Sequence, residues 1–115
     1  MSAGKNKSGA QVLREAKAKI AEPGAWARGR FAYYECGDAA GPDYPEATCW
    51  SALGAAMAVA CPASVLCAAV DALHQAVCKR GFDRIAHFND HPDTTHEMVL
   101  SAYDDAIALA ESEAA

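Results

Sequence analysis

Apolar positions recur at helical spacing through most of this chain and lose that spacing in one stretch. Val12, Ala16 and Ile20, widened by Leu13, form the first apolar stripe. Ser8-Gly9-Ala10-Gln11 in front of it has the Ser-x-x-Gln form of a capping box, and Glu22-Pro23-Gly24 ends it. Met1 to Lys7 is polar and is expected to be a flexible N-terminus, leaving residues 8–115 as a single helical domain.

Between Gly24 and Tyr44 the period breaks. Trp26, Phe31, Tyr33 and Tyr34 alternate with Arg28, Arg30 and Glu35, followed by a turn cluster of Gly, Asp, Ala and Pro. This reads as a long irregular aromatic loop or a short hairpin, covering either a ligand or a core of small residues. Pro45 suits the first turn of a second helix, capped near Asp43 or Tyr44 and running to about Ala60. Leu53, Ala56, Met57 and Ala60 would face the core, while Gly54 and Ala58 would let another helix approach.

Cys61-Pro62 punctuates the chain before a third helix with Val65 or Leu66, Ala69, Leu73 and Val77 inward, closed by Arg80-Gly81-Phe82 as a glycine C-cap. A short helix is expected around Asp83 to Phe88, then a polar turn from Asn89 to Asp93. Thr94-x-x-Glu97 has capping-box form ahead of a last helix with Met98, Val99, Ala102, Tyr103, Ala106, Ile107 and Ala110 on its apolar side. The expected fold is mostly α: a compact single-domain bundle of four to five helices, with the aromatic loop between the first and second.

Composition narrows the class. At 115 residues with 52% hydrophobic content, the chain can bury a core without a metal or disulfide staple. A net charge of −5 with scattered Lys and Arg argues against nucleic acid as a partner. Ala47 to Val70 carries no charge, but Pro62 divides it and its Ala, Ser, Cys and Gly insert poorly, so a buried hairpin is expected and not a membrane span. Five cysteines without a secretory pattern point to a cytoplasmic protein with free thiols; Cys61, Cys67 and Cys78 read as small core hydrophobes.

Three constellations could carry chemistry. Cys49 or Ser51 with His87 and Asn89 or Asp90 supplies a nucleophile, a base and an orienting group; Cys49 in a first helical turn would have its thiol pKa lowered. Against this, Ser51, Asn89 and Asp90 are equally suited to capping backbone, and Cys49 to packing. His87, Asp90, His91, Asp93, His96 and Glu97 fall within eleven residues, but the turn at Pro92 breaks the one His-x-x-x-His spacing, and neither metal nor cofactor is expected. The third is a ligand-binding pocket lined by Trp26, Arg28, Trp50, Ser51, His87, Asn89 and Asp90, aromatic walls with a few polar groups.

Trp26-x-x-Gly29, Trp50-Ser51-Ala52-Leu53-Gly54-Ala55, Asn89-Asp90, Thr95-x-Glu97-x-Val99-Leu100 and the alanine-rich run from Ala106 to Ala110 occur here in order. Together they resemble an uncharacterised family of small, mostly helical bacterial and phage proteins, a domain of unknown function. The resemblance implies an independent helical domain and supplies no activity. In that family a cysteine commonly precedes Ala-Leu-Gly-Ala, where Ser51 stands here, which weakens a thiol-enzyme reading and leaves the Asn-Asp pair in favour.

The function expected is therefore binding without catalysis, of a small ligand or a protein partner, with a phage or bacterial accessory or counter-defence role suggested by context. The alternative is a small hydrolase or transferase using a Cys or Ser nucleophile with His87. Small residues around Gly54 suit packing between subunits of a homo-oligomer as well as within one chain.

Overall fold

A computed structural model describes residues 8–34, 37–41 and 46–114, with side chains through Ser112. The flexible segment expected at Met1–Lys7, and the cap and first turn expected at Asp43–Pro45, lie outside the described residues. The element order is α1 (Gly9–Lys19), a 3-10 turn (Pro23–Ala25), β1 (Ala32–Tyr34), β2 (Ala39–Ala40), β3 (Ala47–Trp50), α2 (Ala52–Ala58), α3 (Ala63–Cys78), α4 (Ile85–Asp90) and α5 (His96–Ala114). The fold is mostly α, and no helix among the described residues is long and apolar enough to cross a membrane.

Each helix begins and ends where its backbone finds partners. The Ser8 hydroxyl accepts from the Gln11 amide N–H at 3.1 Å, satisfying a free donor at the start of α1. At the end of α3, Gly81 takes φ +91°, Gly81 N–H donates to the Cys78 carbonyl, and Phe82 N–H reaches back to Val77. That pair of bonds is the Schellman arrangement, and it turns Phe82 onto the edge of Phe88 at 5.3 Å.

Two helix starts differ from the sequence reading. The cap of α5 is Thr95, whose hydroxyl accepts from Met98 N–H at 3.2 Å, and not Thr94, which is buried one residue earlier. Met98 is consequently exposed instead of joining the apolar face. The helix expected from Pro45 starts at Ala52: Ala47–Trp50 is a strand, paired antiparallel with β1 in the sheet order β2-β1-β3. Thr, Cys and Trp favour a pleated surface, and Ser51, extended at ψ 172° with its hydroxyl accepting from Gly54 N–H at 3.0 Å, is a helix cap. The late start moves the buried face of α2 to Ala52, Ala55, Ala56 and Val59, leaving Leu53 and Met57 half-buried and Ala60 exposed.

Alanine makes up about half of the core, with Tyr103 and Phe88 its largest fully buried side chains. α5 packs against both α1 and α3. Arg14–Glu111 and Lys17–Asp104 pairs line the first seam and an Arg80–Asp105 pair the second, exposed contacts worth less than about 1 kcal/mol each. On α3 the buried stripe is Ala69, Ala72, Leu73, Ala76 and Val77. Cys67 and Cys78 lie about half a turn from it at 100° per residue and are exposed, so they are not core, while Cys61 is half-buried and packs against the core.

The sheet reaches the helices through Gly54. A Cβ there would stand 1.9 Å from the Phe31 carbonyl oxygen, so the close neighbour is the strand-entry backbone and not another helix. Ser51 N–H donates to that same carbonyl at 3.0 Å. Gly54→Ala in a helix would ordinarily gain up to about 1 kcal/mol from propensity. Here the expected outcome of urea unfolding is a net loss of about 1–3 kcal/mol from overpacking, and a stabilised variant would show that the Phe31 segment yields freely.

Candidate functional site

Asn89 lies in the last turn of α4, not in the turn after it, and is 1% exposed. Its side-chain amide fills four hydrogen-bond positions. Oδ1 accepts from Trp26 Nε1–H at 2.7 Å and from Ala52 N–H, the first amide of α2, at 2.9 Å. Nδ2 donates to the Ala27 carbonyl at 3.0 Å and to Asp90 Oδ1 at 3.0 Å. A group this buried is tolerated because nothing on it is left unpaired.

The neighbouring side chains extend that clamp along residues 26–29. Asp90 Oδ1 also accepts from Gly29 N–H at 2.8 Å. Gly29 sits at φ +93°, a conformation that side-chain-bearing residues rarely adopt, and the Tyr33 hydroxyl beside it donates to the Arg28 carbonyl at 2.7 Å. Ala27 N–H donates to the Trp50 carbonyl at 2.9 Å, beside the parallel bridge between Trp26 and Trp50. Arg28 lies over the Trp26 ring at 4.8 Å and donates to the Thr94 and His91 carbonyls.

Beside this clamp is a cleft of about 260 Å³, lined by Gly29, Arg30, Phe31, Ser51, Leu53, Ala86, Asn89 and Asp90. Of the seven pocket residues expected from the sequence, it brings together Ser51, Asn89 and Asp90. Trp26 and Arg28 are in the clamp behind the cleft, and Trp50 packs against the core under the Lys19 ammonium at 5.2 Å. The cleft also takes in Gly29, Arg30, Phe31, Leu53 and Ala86, which lie outside the expected set. Phe31 had an aromatic signal and Leu53 a motif, but Arg30 and Ala86 reach the cleft only through the Gly29 turn and the rotation of α4.

His87 does not line the cleft. Ala86, Asn89 and Asp90 share one face of α4, while exposed His87 bonds through Nδ1 to Asp83 at 3.0 Å. That bond, first among its causes, holds the Asp83 carboxyl below its ordinary value. Cys49 is in β3, opposite Tyr33, and not in the first turn of a helix. Ser51 lines the cleft, but its oxygen is engaged in capping α2.

Among the described residues no group of three or more His, Cys, Asp or Glu side chains is placed to hold a metal ion. The histidines of the eleven-residue cluster go to separate tasks. His91 Nδ1 accepts from Asp93 N–H and its ring meets Phe82 edge-on; His96 bonds to the Ile20 carbonyl and lies 5.8 Å from Trp26. Tyr103, whose phenol burial pushes well above its ordinary value, donates to the Ala52 carbonyl and ties α5 to the first turn of α2.

The fold and site define a small, mostly α-helical domain with a three-stranded antiparallel sheet, in which an asparagine clamp ties Trp26 and Ala27 to α4 and the start of α2 beside a surface cleft. The chain belongs to a family of unknown function, DUF6197, whose model matches residues 5–109. No curated protein and no solved structure matches it.

Asn89→Ala leaves Trp26 Nε1, Ala52 N–H and the Ala27 carbonyl without their partner, at about 1–3 kcal/mol for each group that stays buried. A loss of about 3 kcal/mol or more in denaturant unfolding is expected, and a loss under about 1 kcal/mol would show that the clamp is dispensable. His87→Ala is expected to return the Asp83 carboxyl towards its ordinary range in an NMR titration without changing the cleft amides. Because the folded-state value is the depressed one, this pair's contribution is present above the ordinary carboxylate pKa and disappears as pH falls through the folded value.

Proposed function

We propose that this chain is a non-enzymatic binding domain whose ligand is a small molecule held in the cleft between the Gly29–Phe31 turn, α2 and α4. The observation that carries the reading is the division of labour around Asn89. Its amide is spent on holding the walls, while the cleft it supports is lined by Asp90 with one carboxylate oxygen uncommitted, by Arg30, and by an apolar side of Phe31, Leu53 and Ala86. Concave apolar surface with a few polar groups on rigid supports is the usual composition of a small-ligand site.

Catalysis has less support. Among the described residues no histidine lines the cleft to activate Ser51. The helical scaffold is taken as a bundle carrying the aromatic segment as one wall of the cleft. Cys49, Cys67 and Cys78 are free thiols, which suits a reducing cytoplasm.

The test is a screen of small neutral fragments by amide NMR on the full chain. Responses are expected to cluster at Gly29, Phe31, Ser51 and Leu53, and to disappear in Leu53→Trp, which fills the cleft. Responses scattered over the surface, or centred on the apolar groove of Met57, Leu66 and Val70 between α2 and α3, would defeat the small-ligand reading and favour a protein partner.

A further inference from the structure

Two residues of opposite charge, Arg30 and Asp90, line the cleft from different elements. Arg30 arrives on the turn before β1, and Asp90 on the last turn of α4. No ion pair joins them, and Arg30 has no hydrogen-bond or ion-pair partner among the described residues. Asp90 uses Oδ1 twice, on Gly29 N–H and on Asn89 Nδ2, so its other oxygen is held in place yet available. The Ser51 hydroxyl accepts from Gly54 N–H and retains a proton to donate.

The carboxylate of Asp90 is also at the carbonyl end of α4, where a cation is favoured and an anion is not. Its negative charge is kept there by two donors that also hold the cleft wall, which leaves the site electrostatically suited to a positive group. Arg30, with a guanidinium fork matched to carboxylate geometry, suits a negative one. The same cleft is lined by Phe31, 45% exposed, the half-buried Leu53, and Ala86 on α4. At about 260 Å³ the cleft falls below the ~300 Å³ at which pockets for drug-sized ligands begin.

We propose that the cleft binds an amino-acid-sized zwitterion, its ammonium at the free oxygen of Asp90, its carboxylate at Arg30 and a short apolar side chain against Phe31 and Leu53. This rests on the small-ligand reading of the same cleft. Neither charge alone satisfies both walls, so a molecule carrying one charge gives up one of the two contacts.

The experiment titrates the full chain with L-leucine, 3-methylbutylamine and 3-methylbutanoate, following the amides of Gly29, Phe31, Ser51 and Leu53 by NMR. L-Leucine is expected to bind at least tenfold more tightly than either single-charge analogue. Arg30→Gln is expected to bring L-leucine to the level of the amine while leaving the amine unchanged; the residue is exposed, so folding is not at stake. Equal affinity of L-leucine and either analogue, or an Arg30→Gln variant that still prefers L-leucine, overturns the proposal. If none of the three binds while neutral fragments still respond at these amides, the zwitterion is wrong and the cleft reading stands; if neither set responds, both fall.

Discussion

One buried carboxamide, that of Asn89, joins the segment after α1, the start of α2 and the end of α4. Residues 26–29 run beside α4 without a strand partner along most of their length, and the first amide of α2 points into the protein. One carboxamide answers both needs, accepting from Trp26 and Ala52 and donating to Ala27 and Asp90. In a low-dielectric surrounding such bonds are strong when made and costly when missing. The positive φ of Gly29 follows from it, because the chain must turn there to bring its N–H to the Asp90 carboxylate.

Small core residues set the second constraint. With alanine at half of the buried helix positions, the helices approach closely and a few large groups, Phe88 and Tyr103 above all, fill what remains. Tyr103 does more than fill: its hydroxyl donates to Ala52, whose N–H is held by Asn89, so the start of α2 is gripped from both sides. Gly54 then admits the Phe31 backbone at a distance that no side chain would allow. The cleft lies where this inserted segment meets α2 and α4, and its walls inherit their rigidity from the clamp.

Local signals in the chain were readable where a single element satisfies itself. The Ser8 cap, the Val12–Ala16–Ile20 stripe and the Gly81 C-cap need only neighbours in sequence, and the structure contains each of them. Thr94 and Thr95 are both competent caps, and only packing decides which is buried. The cysteines of α3 are apolar enough for a core but lie on the face opposite the buried stripe. His87 and Asn89 are two residues apart on a helix, so they cannot share a face, yet that limit applies only once α4 is known to run through Asp90.

A mostly helical chain and most of its helices were legible in the residues alone, as was the family to which the Trp26-x-x-Gly29, Trp50-to-Ala55 and Asn89-Asp90 segments point. The helices were legible because helical period, caps and glycine turns act over a few residues. Packing made Ala47–Trp50 a strand, drew Trp26, Ala27, Ala52 and Asp90 to one amide, and brought Arg30 and Phe31 to the same cleft as Asp90. Strand pairing and side-chain convergence join residues up to 63 positions apart, and no periodicity in the chain records which distant backbone group a buried amide will find.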